Sequence, residues 1–117
     1  MQVTGLMWAG TRTDKFDDTV RFLRDIMGLT LDEQQPGFAS FVLANHDKFE
    51  VFGPDEAEHS YFTTGPVVGF GVTDVEAARE ELERAGIEVI GPVHSEGDYR
   101  WSHFRGPDGN VYEIASS

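Results

Sequence analysis

The sequence predicts an α+β fold of two βαβββ modules, a curved mixed sheet around a trough with the helices outside. Three observations carry this reading. Residues 18–29 and 76–87 match at an offset of 58, each an amphipathic run stopped by Gly28 or Gly86 and followed by Leu29 or Ile87. Phe38-x-x-Phe41 matches Trp101-x-x-Phe104, and Phe49-Glu50-Val51 matches Tyr112-Glu113-Ile114, both at an offset of 63. A turn separates the aromatic pair from the glutamate in each half. Self-similarity of this kind marks a supersecondary unit made twice.

In chain order, residues 3–9 form a β-prone run. A helix over 16–27 follows, with Asp17 where an N-cap would sit and Gly28 as its stop, since glycine takes the left-handed conformation without a Cβ clash. Residues 29–33 make a short strand. Asn45-His46-Asp47 then turns a hairpin between the strand of Phe38 and Phe41 and the strand of Glu50. Residues 54–65 are a connector, acidic and without a clear period. The first module spans 1–53 and the second 66–117, the whole forming a single domain.

The second module repeats the order. In residues 67–72, Val68, Phe70 and Val72 alternate with Val67, Gly69 and Gly71, the period of a half-buried strand. Asp74 is placed to cap a helix over 74–85. A strand follows at 87–90. The larger second offset predicts a longer loop, over 93–98. Gly106-Pro-Asp-Gly-Asn110 closes the last hairpin, with Pro107 presetting φ and Gly109 supplying positive φ.

Strand alternation assigns side chains to faces. Met7, Ala9, Phe41, Leu43, Phe49, Val51, Phe104, Tyr112 and Ile114 should lie under the helices. Leu6, Trp8, Gly10, Phe38, Ser40, Val42, Lys48, Glu50, Phe52, Trp101, His103, Arg105, Val111, Glu113 and Ala115 then face the trough. Apolar walls with a few convergent polar groups suit a small-molecule pocket.

Composition narrows the function. The 117 residues carry 9 Lys+Arg against 21 Asp+Glu, a formal net charge of −12, which argues against phosphate-led binding of nucleic acid and against anionic membrane surfaces. The chain has no cysteine, which excludes disulfides, thiolate metal sites and a cysteine nucleophile. No apolar run approaches the ~20 residues of a membrane span. Residues 1–10 lack a basic region and an apolar h-region, so no secretory leader is expected and a cytoplasmic location is.

The double βαβββ layout, the two glycine helix stops, and above all the segment from Phe104 through Gly106-Pro-Asp-Gly-Asn110 to Glu113 and Ile114 resemble the vicinal oxygen chelate superfamily of glyoxalases, bleomycin resistance proteins and extradiol dioxygenases. The resemblance covers essentially the whole chain. It implies a divalent metal held by one residue from the first strand and one from the last strand of each module. The last-strand positions fall on Glu50 and Glu113. The first-strand positions fall on Trp8 and Val67, which cannot bind a metal, so no metal and no cofactor are expected. This pattern is similar to the drug-sequestering branch of the family, whose members are usually dimeric. The expected function is therefore metal-independent binding of a cationic or aromatic small molecule by a homodimer. Its ligand contacts would be Trp8, Phe38, Glu50, Phe52, Trp101, His103 and Glu113. The alternative is a glyoxalase- or dioxygenase-like lyase or isomerase using the same trough, with Glu50 or Glu113 as general base. The length of the connector leaves open whether the trough closes within one chain or across two.

Overall fold

A computed structural model describes residues 1–117. The elements are β1 (Val3–Arg12), α1 (Phe16–Arg21) continued by a π-helical turn (Phe22–Ile26), β2 (Thr30–Gln35), β3 (Phe38–Val42) and β4 (Lys48–Phe52). After the connector come β5 (Val67–Val72), α2 (Val75–Arg84), β6 (Glu88–Glu96), β7 (Tyr99–Arg105) and β8 (Val111–Ser116). The eight strands follow the order β2-β3-β4-β1-β5-β8-β7-β6. Strands β1 and β4 pair in parallel, as do β5 and β8, while the hairpin partners pair antiparallel. The fold is the α+β, twice-repeated βαβββ arrangement that the two offsets predict. No helix is long and apolar enough to cross a membrane.

Two compact units divide the chain, Trp8–Pro66 and Met1–Met7 with Val67–Ser117. In the first, α1 and the π-helical turn place Val20 and Leu23 on Ala39, Phe41 and Val51, with Phe16, Leu29, Leu31 and Phe49 packed around them. In the second, α2 places Val75 and Ala78 on Val72 and Ile114, with Leu82, Val93 and Phe104 alongside. The helix-facing sets are largely those that alternation assigns; Leu43, however, is exposed.

Two local expectations are corrected. Asp74 does cap α2, its Oδ1 accepting the Ala77 N–H at 3.0 Å. Asp17 does not cap α1: the N-cap is Lys15, which has no capping side chain, and Asp17 sits inside the first turn. There the segment is instead tied by Thr13, whose Oγ1 accepts the Lys15 N–H, and by Thr19, whose hydroxyl donates to the Lys15 carbonyl. The second correction concerns 93–98. Those residues do not form a longer loop. Strand β6 is three residues longer than β2 and β7 two longer than β3, so the whole insertion is absorbed as hairpin, with a register irregularity between Ile90 and His94. The turn itself is short, with Gly97 at φ +58°.

Candidate functional site

In the first unit the site grows from the pairing of β1 with β4. Gly10 lies directly opposite Glu50, and Trp8 lies two residues earlier on the same face of β1. A Cβ on Gly10 would come within 2.3 Å of the Trp8 ring, so the absent side chain is what lets the indole lie along the strand. From there its Nε1–H donates to Glu50 Oε1 at 2.8 Å. Across β4, Ser40 pairs with Glu50 and Phe38 with Phe52.

Rings surround that carboxylate's strand. Phe38 and Phe52 lie 5.6 Å apart, and the connector brings two more rings to Phe52. His59 stacks on it at 4.0 Å and 18°, and Phe62 meets it edge-on at 5.8 Å. Phe62 also meets Trp8 edge-on at 6.1 Å and is almost fully buried. Glu56 fixes the connector's turn: its carboxylate accepts the backbone N–H of Glu58 and of His59 and lies 2.8 Å from His59 Nδ1. Trp8 and Phe52 are buried, whereas Phe38, Glu50 and His59 keep part of their surface in solvent.

In the second unit His103 pairs with Glu113 across β7 and β8. His103 Nε2 lies 2.9 Å from Glu113 Oε2, and both side chains are buried. Burial penalises the imidazolium and pushes the His103 pKa down to about 4, so the ring is neutral near pH 7. Behind them, His94 of β6 stacks on Trp101 at 5.3 Å and 19°, with Tyr99 5.6 Å from the same indole. His94 and His103 are 6.5 Å apart. At the far end of the strand pair, Arg105 reaches Glu88 at 3.7 Å.

The residues expected from the sequence thus fall into two groups. Trp8, Phe38, Glu50 and Phe52 come together in one unit, and Trp101, His103 and Glu113 in the other. Strand alternation selected both groups. It missed His59, Phe62, His94 and Tyr99. His59 and Phe62 lie on the aperiodic connector, and His94 and Tyr99 lie in or beside the insertion read as loop. Leu6, assigned to the inner face, is 60% exposed.

The metal implied by the resemblance does not fit these residues. The indole N–H at Trp8 is a donor only, and Val67 has no donor atom for a metal. Glu50 already accepts the Trp8 N–H, and Glu113 faces His103. No three His, Asp or Glu side chains converge in the manner of a metal centre.

A search of curated protein sequences finds no match. Among solved structures, the chain is similar to a Mn(II)-bound glyoxalase from Novosphingobium aromaticivorans, at 23% identity and TM-score 0.77, over 98% of this chain and 39% of that one. It is similar to methylmalonyl-CoA epimerase from Mycobacterium tuberculosis at 17% identity and TM-score 0.69, over 97% and 88%. It is also similar to a glyoxalase/bleomycin resistance protein/dioxygenase superfamily member from Vibrio splendidus at 15% identity and TM-score 0.69, over 93% and 96%. These likenesses establish the fold. The model of one family matches residues 5–114, and with that match the chain belongs to the Glyoxalase/Bleomycin resistance protein/Dioxygenase superfamily.

Proposed function

We propose that the protein binds a small aromatic cation without a metal, with Glu50 and the rings around it as the recognition site. One observation carries the reading: Glu50 keeps part of its surface in solvent, accepts the Trp8 N–H and lies on the same face of β4 as Phe52, whose ring Phe38 and His59 meet. An ionised carboxylate beside aromatic faces attracts a cation twice, by charge and by the ring quadrupoles, the latter worth roughly 0.5–2 kcal/mol for a good pair. The chain's net charge of −12 draws cations toward it from a distance.

The test is a thermal-shift titration with 9-aminoacridinium, with the neutral hydrocarbon anthracene and with Mn²⁺, Ni²⁺ and Zn²⁺ as separate arms. The acridinium should raise Tm and quench tryptophan fluorescence, and Glu50→Gln should weaken it. A ligand that binds only the native state raises Tm, more so the tighter it binds. A rise with the metals and none with the acridinium would overturn the proposal.

A second reading, a metal-free lyase or isomerase, is supported by the buried His103 and Glu113 side chains 2.9 Å apart, an arrangement able to orient an imidazole for proton transfer. Turnover of a 2-oxoaldehyde hemithioacetal that His103→Gln abolishes would favour it. A homodimer is proposed with either reading, and light scattering tests it.

A further inference from the structure

The internal repeat supplies a control for an open aromatic slot in the second unit. In the first unit, Phe41 is fully buried, and Phe49 and Phe16 both pack against the cluster that contains it. The corresponding pair in the second unit is Phe104 and Tyr112, stacked at 5.6 Å and 21°. The helical-run offset puts Asp74 where the first unit has Phe16. Asp74 caps α2 and supplies no ring. By strand register, the second unit also carries Phe70 where the first has Thr11, and Phe70 lies 6.0 Å from Tyr112.

Beside these rings lies a cavity of about 390 Å³ lined by Phe70, Phe104, Tyr112 and the turn residues Gly106, Pro107 and Asp108. That volume is at the lower end of small-molecule sites. Gly106 keeps the slot's wall thin, since a Cβ there would come within 2.8 Å of the Tyr112 ring and 2.9 Å of the Asp108 carboxylate. Asp108 stands at the rim. Its carboxylate accepts the Tyr112 hydroxyl at 2.6 Å and the Asn110 N–H at 3.1 Å. Those bonds, the tyrosine's first, hold its carboxyl below the usual range, so the rim is anionic near neutral pH.

We infer that this slot is a second ligand site, separate from Glu50, for a small aromatic ring carrying a protonated amine. The ring would lie against Phe70, Phe104 and Tyr112, and the ammonium would meet Asp108. Phe104 and Tyr112 lie on the helix-facing side of the sheet, whereas Glu113 and His103 lie on the other, so the two readings stand or fall apart.

The experiment is an NMR titration of the intact protein with phenethylammonium and, in parallel, phenylacetate, which has the same ring and the opposite charge. The aromatic resonances of Phe70, Phe104 and Tyr112 report this slot, and those of Trp8 and His59 report the Glu50 site. Phenethylammonium should shift the first set saturably, with a Kd of about 1 mM, and phenylacetate should bind at least roughly tenfold more weakly. Phe70→Thr, which installs the first unit's residue, should abolish the shifts. Asp108→Asn keeps the shape and should remove the preference for the amine. No saturable shift of the slot resonances, equal binding of the two compounds, or full amine preference in Asp108→Asn would each overturn the site. If Phe70→Thr unfolds the chain, the Asp108→Asn comparison still decides.

Discussion

The Trp8 indole lies along β1 above Gly10 and donates its N–H to Glu50 on the neighbouring strand at 2.8 Å. Trp8 is 6% exposed, and Glu50 is only partly covered. A hydrogen bond to a charged group in such a place is worth about 1.5–3 kcal/mol. Trp8→Phe keeps most of the ring and removes the donor. A double-mutant cycle of Trp8→Phe with Glu50→Gln, read by urea denaturation, should give a coupling energy of about 1–2 kcal/mol. Additive effects would show that the contact contributes only packing.

Gly10 should be intolerant for the same reason. Its missing Cβ makes room for the indole, and Gly10→Ala would force the ring off the strand. The substitution should redshift the Trp8 emission and cost about 1–3 kcal/mol, as overpacking does. It should also erase the Trp8–Glu50 coupling. An unchanged spectrum with unchanged stability would show that the indole has room to swing aside.

Periodicity made most of this architecture readable. The paired offsets fixed which runs are helices and which are hairpins, because one βαβββ unit constrained the reading of the other. Alternation then put Glu50, His103 and Glu113 on one set of faces and Phe41 and Ile114 on the opposite set. What alternation could not see were side chains set by something other than a strand period. His59 and Phe62 reach the site through a turn organised by Glu56, and such a turn leaves no periodic trace. The 93–98 insertion contains Gly97 and charged or polar residues, which read as loop. Pairing with β7 overrides that composition and carries His94 onto Trp101.

The two aspartates at the helix starts separate capping from charge alone. Asp74 accepts the Ala77 N–H, so Asp74→Ala removes a hydrogen bond as well as a favourable charge. It should cost about 1 kcal/mol. Asp17 makes no cap and acts on the helix dipole from the first turn. Asp17→Ala should cost only about 0.3–0.5 kcal/mol, and salt should screen most of that. Equal, salt-sensitive losses at both positions in chemical denaturation would contradict the assignment of Lys15 as the N-cap of α1.

His103 should write its burial into the pH dependence of stability. Its pKa falls from 6.5 to about 4 in the folded chain, because removing the imidazolium from water outweighs any attraction to Glu113 2.9 Å away. In the unfolded chain the ring titrates near its ordinary value. Between those two pH values the unfolded state binds a proton that the folded state refuses. Stability therefore falls as pH drops from about 6.5 toward 4, with no contribution from this residue above that window and no further loss below it. The full loss amounts to a few kcal/mol, at about 1.4 kcal/mol for each pH unit that separates the two pKa values. His103→Gln removes the titration while keeping a polar side chain, so it should flatten this part of the profile whatever constant offset it adds. Groups that do not touch residue 103 are common to both proteins, and their contributions cancel in the difference. Urea denaturation of parent and variant at pH 8, 7, 6 and 5 measures it. The gap between them should be constant from pH 8 to 7 and should then shift in favour of His103→Gln as the pH falls. Parallel curves across the whole range would mean that His103 takes up its proton in the folded chain as readily as in the unfolded one, and that the imidazolium is accommodated beside Glu113.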